Sequence, residues 1–181
     1  MDLEKILPTN GPSINEVKKY IEKYLEEIIV IKCGGSVLLD ENLFKQFIED
    51  ISVINKLGLS AIVVHGGGKN IKKKLDELNI ESKFIDGLRV TDEITIKVVE
   101  EALLELNSEI INNLKNLQIN AESVAPNNKN IIKIKPEKKE LGFVGSPKEI
   151  DLKSILKIIE EKKIPIVVPM GISDDNKTYN I

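Results

Sequence analysis

Lys32 stands near the end of an apolar run and is followed by a glycine pair, in the string IIVIKCGGS (residues 28–36). A second run ends in the same way, AIVVHGGGKN (61–70), and contains the chain's single histidine, His65. Five of the eleven glycines fall in these two clusters. A buried strand that ends in glycines and opens a helix leaves several backbone N–H groups unpaired and pointing outward. That is how a fold cradles an anion, phosphate above all. Two such clusters point to phosphoryl chemistry. An ammonium at Lys32, beside Gly34 and Gly35, would neutralise charge on a transferring phosphate. A lysine that snorkels from a strand end is the plainer alternative, and the flanking glycines favour the phosphate. Cys33 faces the other side of that strand and reads as a core thiol. His65 reads as a hydrogen-bonded structural residue, with a general base as the alternative.

Arg89 is the single arginine among 26 basic residues. Wherever a generic positive charge is wanted, the chain uses lysine. Arginine offers a planar fork that binds a carboxylate through two parallel hydrogen bonds, which lysine cannot copy. A carboxylate-binding role is therefore expected of Arg89, against the alternative of a structural ion pair. Other phosphate and acyl chemistries fit poorly. Neither cluster is a Walker A loop or a G-x-G-x-x-G fingerprint. HGGG also occurs as an oxyanion-hole element in esterases, but there is no G-x-S-x-G elbow and no second histidine for a triad.

The elements that must position these residues alternate. Ser13 and Glu16 form a capping-box pattern opening an amphipathic helix over 13–27, with Val17, Tyr20, Ile21, Tyr24 and Leu25 on one face. The buried strand 28–33 follows. Asp40 caps a helix with apolar positions at Leu43, Phe44, Phe47, Ile48, Ile51 and Ile54, and Gly58 stops it. Strand 61–65 and a helix to about Leu78 come next. KFIDGLRV (83–90) reads as a hairpin or extended loop. Thr91, Asp92 and Glu93 then open a long helix, whose apolar line is Ile94, Val98, Ala102, Leu106 and Ile110. Short strands are expected over 120–147, with turns at Pro126-Asn127-Asn128, Gly142 and Gly145. Asp151 caps a last helix, and IPIVVP (164–169) is a further buried strand. Alternating strands and helices imply an α/β fold, a three-layer αβα sandwich with a mainly parallel open sheet. Ligands gather at the carboxyl ends of such strands, where both glycine clusters would lie.

The 181 residues suffice for one domain with a sizeable core. A net charge of −3 and 4% aromatic residues argue against a nucleic-acid surface. One cysteine excludes a disulfide framework or a cysteine-based metal site and fits a reducing, cytoplasmic setting. No apolar stretch is long enough for a membrane helix.

The strings VIKCGGS, VVHGGGKNI, FIDGLRVTDE, LGFVG and TYNI, in this order and spacing, resemble the acetylglutamate kinases of the amino-acid kinase superfamily. The resemblance runs from about Ile28 to Ile181 and is sharpest at G-L-R-V-T. It implies the N-terminal lobe of the amino-acid kinase fold over 28–181, preceded by a helical extension over 1–27. It implies transfer of the ATP γ-phosphoryl group to the side-chain carboxylate of N-acetyl-L-glutamate, a step of arginine biosynthesis, with Mg²⁺ accompanying ATP and no protein-bound metal. It assigns transition-state stabilisation to Lys32 with the Gly35 and Gly67 amides. ATP phosphates would lie at Lys32, Gly34 and Gly35. Substrate contacts fall to Gly67, Gly68, Arg89 and Asn180. The resemblance also implies a homo-oligomer: a dimer, or a hexamer interlaced through the N-terminal helix. The acceptor carboxylate has an intrinsic pKa of roughly 4.3 and is ionised at neutral pH, so no general base is required. The difficulty is bringing an anion to a polyanion, which calls for charge neutralisation and in-line positioning.

The family string continues past Y-N-I into N-A-D and a second, nucleotide-binding lobe. On that ground this chain is expected to hold the acceptor half, and to be inactive by itself. Two stretches depart from the family pattern. Leu103-Leu104-Glu105-Leu106-Asn107 is one residue shorter and lacks a glycine. AESVAPNNKN (121–130) stands in place of a glycine-rich loop. Two other functions remain open: a kinase of another acidic amino acid or a carrier-linked aminoadipate, and a non-catalytic arginine-sensing domain as in acetylglutamate synthases.

Overall fold

The structure is a computed structural model that describes residues 2–126 and 131–181. Asn127 and Asn128 of the expected turn, and the end of the 121–130 stretch, lie outside the described residues. A short helix α1 (Leu3–Ile6) and helix α2 (Ile14–Tyr24) open the chain. Ser13 and Glu16 form the reciprocal capping box that their spacing predicts. The central sheet contains β1 (Ile28–Cys33), β2 (Ser60–His65), β5 (Ala121–Val124) and β8 (Ile164–Val167). It is wholly parallel, in the order β1-β2-β8-β5. Cys33 pairs with His65, while Val64 and Val124 pair with Val167, so the carboxyl ends of all four strands share one edge.

Strand alternation divides the apolar residues between two layers. On one face Cys33, Val63 and Ile166 meet α3 (Glu41–Lys56) through Phe44, Ile48 and Ile51. The same cluster takes Leu106, Ile110 and Leu114 from α5 (Glu93–Asn116). On the other face Val124 and Val167 meet Ile155 and Ile158 of α6 (Leu152–Glu160). These are the three layers expected of the sequence. A third cluster lies beyond the carboxyl edge. It joins Ile71 and Leu75 of α4 (Gly68–Glu77) to Val99, Ala102 and Leu103 of α5 and to Val168 and Met170.

Of the hairpin and the extended loop that the sequence left open over 83–90, the structure has the hairpin. Strands β3 (Phe84–Ile85) and β4 (Leu88–Arg89) flank Asp86 at φ 51 and Gly87 at φ 82. Positive φ at both loop residues is the I′ geometry that matches the twist of a two-residue hairpin. A second sheet runs in the order β10-β9-β6-β7. Its members are β6 (Ile132–Pro136), β7 (Gly145–Ile150), β9 (Met170–Ile172) and β10 (Thr178–Asn180).

Three expectations need correction. The strand 28–33 is not buried on both faces: β1 is an edge strand, and Val30 is 64% exposed because α6 packs over β2, β8 and β5 instead. Ile94 is also 64% exposed, since it sits in the first turn of α5, before the helix reaches the core. In α2 only Val17 of the expected apolar face is buried, and Tyr20 and Leu25 lie open.

Candidate functional site

The two glycine clusters meet. The Gly66 N–H donates to the Cys33 carbonyl at 2.7 Å. A Cβ on Gly35 would stand 3.4 Å from the Gly68 nitrogen and 3.6 Å from that of Lys69. The first cluster therefore lies directly against the N-terminus of α4, where the first backbone donors of a helix have no partner within it. The Gly67 and Gly68 amides find no acceptor among the described residues. Gly67 is pressed on α5: a Cβ there would meet Leu103 Cδ2 at 2.4 Å. Only a residue without a side chain permits this approach.

His65 sits below the second cluster, 1% exposed. Its Nδ1 lies 2.9 Å from the Gly66 carbonyl, and its Nε2 lies 3.2 Å from Asn107 Nδ2. A carbonyl only accepts, so Nδ1 carries the proton and Nε2 accepts from Asn107. Asn107 Nδ2 also donates to the Ile166 carbonyl at 3.0 Å. Burial pushes the imidazole below its ordinary pKa, so the ring is neutral at pH 7. With both nitrogens engaged in the interior, His65 is structural, as its sequence context suggests. Cys33 is also a core residue: it is buried, and burial pushes its thiol pKa up.

Arg89 is 8% exposed. Nη1 donates to Ser82 Oγ at 2.5 Å and Nη2 to the Gly68 carbonyl at 3.2 Å. Its guanidinium carbon lies 4.8 Å from the centre of the Phe84 ring, a cation–π contact with its cross-strand neighbour. Burial lowers the guanidinium pKa and Asp76 draws it back; an arginine stays charged regardless. No carboxylate reaches Arg89 within ion-pair distance among the described residues. A buried charge with no carboxylate in direct contact is costly, and a bound carboxylate would supply that contact.

The chain beyond Arg89 is tied to the C-terminal strands. The Thr91 hydroxyl donates to the Arg89 carbonyl at 2.8 Å, and the Phe143 N–H donates to the Thr91 carbonyl at 2.7 Å. The Asn180 N–H in turn donates to the Phe143 carbonyl at 3.0 Å. Asn180 is thus linked to Arg89 through backbone, while no hydrogen bond joins their side chains among the described residues. Lys32 lies on the exposed face of β1 with Ile28 and Val30 and has no ion pair among the described residues. Gly34 borders open space. The structure therefore unites Gly35, Gly66, Gly67, Gly68 and Arg89.

Two positioning groups escaped the sequence reading. Phe84 is legible once the hairpin register is known, because it pairs with Arg89. Asn107 is a buried polar residue in the mainly apolar inner side of α5, between Leu106 and Ile110. That break in the pattern was the available signal. The 103–107 stretch raises no local irregularity, since α5 runs through it unbroken.

Residues 27–181 match the model of the amino acid kinase family. The chain belongs to that family. Among its relatives is an acetylglutamate kinase from Pelagibacter ubique, 52% identical over 180 residues, which cover 99% of this chain and 62% of that protein. An acetylglutamate kinase from Thermoanaerobacter pseudethanolicus is 39% identical over 169 residues, covering 92% and 56% respectively. The chain thus spans about three fifths of these relatives' length. The crystal structure of smu.665 from Streptococcus mutans superposes with a TM-score of 0.78 at 29% identity, covering 85% of this chain and 63% of that one. The N-acetylglutamate synthase of Neisseria gonorrhoeae, with a TM-score of 0.76 at 18% identity over 94% of this chain and 41% of its own, shares the fold. Within the amino acid kinase family match lie both glycine clusters, Arg89 and Asn180, and α2 precedes it.

Proposed function

We propose that this chain carries the acceptor half of an ATP-dependent acetylglutamate kinase, moving a phosphoryl group to the side-chain carboxylate of N-acetyl-L-glutamate. The observation that carries the reading is Arg89: a buried, oriented fork with no ion-pair partner among the described residues, bonded to the very turn that holds the Gly67 and Gly68 amides. In this reading Arg89 takes the substrate's α-carboxylate in two parallel hydrogen bonds. Gly67 and Gly68 line the rest of the acceptor pocket, with Asn180 at its far side. The γ-carboxylate is ionised at neutral pH and attacks without a base. The amides of Gly35 and Gly67 and the ammonium of Lys32 then stabilise charge on the phosphoryl group in flight. Mg²⁺ arrives with ATP as part of the co-substrate, whose near phosphates lie by Lys32, Gly34 and Gly35. The names of the relatives support this choice of acceptor. The protein acts as a homo-oligomer in the cytoplasm, and a mass from light scattering with and without residues 1–27 tests the part of α2 in assembly.

The test is a binding panel. The chain is titrated with N-acetyl-L-glutamate, L-glutamate, L-aspartate and L-2-aminoadipate. N-acetyl-L-glutamate is expected to bind most tightly. Preference for an unacetylated acid would move the reading to another amino-acid kinase; a parallel titration with L-arginine covers the sensor reading, and binding of L-arginine with none of the acids would move it to a sensor domain.

A further inference from the structure

The Gly66–Gly67 peptide group is gripped on one side and free on the other. Its carbonyl accepts from His65 Nδ1 at 2.9 Å. Its N–H, on Gly67, has no acceptor among the described residues. No peptide bond among the described residues is cis, so carbonyl and N–H point in opposite directions. Fixing the carbonyl on the imidazole therefore fixes the amide away from it. The imidazole is itself fixed. Nε2 accepts from Asn107 Nδ2, and Asn107 is anchored on the Ile166 carbonyl of the central sheet. This second bond holds the ring in the tautomer that carries its proton on Nδ1. The peptide cannot slide sideways either, because Leu103 Cδ2 fills the space a Gly67 side chain would need.

We infer that His65 and Asn107 are positioning residues that turn the Gly66–Gly67 peptide so that the Gly67 amide faces the transferring phosphoryl group. The inference rests on the proposed kinase reading for the identity of the anion, and on the geometry alone for the direction of the amide. His65 does not exchange a proton with substrate. Asn107 ties the anion loop to β8 and α5, so the donor is set before any ligand arrives. Preorganised donors of this kind are effective because they need no rearrangement as charge develops.

The test uses nuclear magnetic resonance on the same 181-residue chain. Long-range ¹⁵N–¹H spectra are expected to show His65 protonated on Nδ1 alone, and a ring protonated on Nε2 would overturn the inference. Inorganic phosphate is then titrated while the Gly67 amide resonance is followed. The wild-type resonance is expected to move on titration, and a Gly67 amide that ignores phosphate would overturn the assigned direction. His65→Asn places Nδ2 where Nδ1 stood and is expected to keep the response. His65→Gln places its amide nitrogen at the other ring position. It is expected to weaken the response roughly tenfold, the loss of one hydrogen bond to a charged group. Both variants are compared at matched folded fraction by thermal melting. An equal response in His65→Gln and wild type would overturn the inference. A chain that responds to phosphate through Gly67 and not to N-acetyl-L-glutamate would retain it and remove the acetylglutamate reading.

Discussion

Arg89 Nη2 donates to the carbonyl oxygen of Gly68 at 3.2 Å. That contact joins a two-residue-turn hairpin to the N-terminus of a helix, and brings the chain's one guanidinium to its one triple-glycine turn. Ser82 Oγ accepts from the other terminal nitrogen, so the plane of the fork is set from two directions. Removing the Ser82 acceptor should loosen that plane without unfolding the hairpin. Ser82→Ala is expected to weaken N-acetyl-L-glutamate binding about three- to tenfold, the net worth of one hydrogen bond. Calorimetric titration checks this, and Ser82→Thr should restore it.

Gly142 permits the backbone link between Arg89 and Asn180. It has φ 68, and a Cβ there would stand 2.3 Å from the Thr91 carbonyl oxygen. A side chain is disfavoured by conformation and by contact. Gly142→Ala is expected to cost about 1–3 kcal/mol from backbone strain alone. A lowered urea midpoint would report it. An unchanged midpoint would show that the 141–144 segment is free to move off Thr91.

Gly67 and Leu103 should behave as one unit. Gly67→Ala forces a methyl into a filled space and is expected to cost about 1–3 kcal/mol. Leu103→Ala opens a cavity and is expected to cost about 2–5 kcal/mol. The double variant should cost clearly less than the two together, because the new methyl enters the space that Leu103 Cδ2 vacates. Urea unfolding of the four proteins measures the coupling, and strict additivity would contradict the contact.

His65 sets a pH dependence of stability. Burial lowers its folded-state pKa from an ordinary 6.5. The unfolded chain then binds more protons between the two values, so stability rises with pH through that window. The contribution is complete above about pH 6.5 and is lost as pH falls from there through the folded-state value. The helix-capping Asp92 and Asp151 have carboxyl pKa values held low by backbone and hydroxyl donors, and they titrate at more acid pH. Subtracting the stability profile of His65→Asn from that of wild type should leave a slope just below pH 6.5. A flat difference would contradict a buried neutral imidazole.

Much of this was legible in the residues. Caps at Ser13, Asp40 and Asp151 mark helix starts through local hydrogen bonding, and all three are formed. The glycine clusters are equally local, while the choice between hairpin and extended loop over 83–90 came only with the fold. What depends on strand order was not legible. The run Ile28–Ile31 has the same composition whether its strand is central or at an edge, so the exposure of Val30 could not be read from it. The same holds for Lys32, whose surroundings are set by what lies across that edge. Asn107 pairs with a residue 42 positions away, a separation that no local pattern encodes. Arg89 was legible by rarity alone; its grip on Gly68 required the fold.

In the proposed function Arg89 recognises the α-carboxylate of N-acetyl-L-glutamate. Calorimetry on wild type and Arg89→Lys, each with N-acetyl-L-glutamate and with its α-carboxamide, tests it most directly. Wild type should bind the acid at one site and bind the amide more weakly by at least about tenfold, as expected for a charge-assisted pair. Arg89→Lys should lose most of that discrimination while keeping its melting temperature. Equal discrimination in the two proteins, or no preference for the acid in wild type, would contradict the claim.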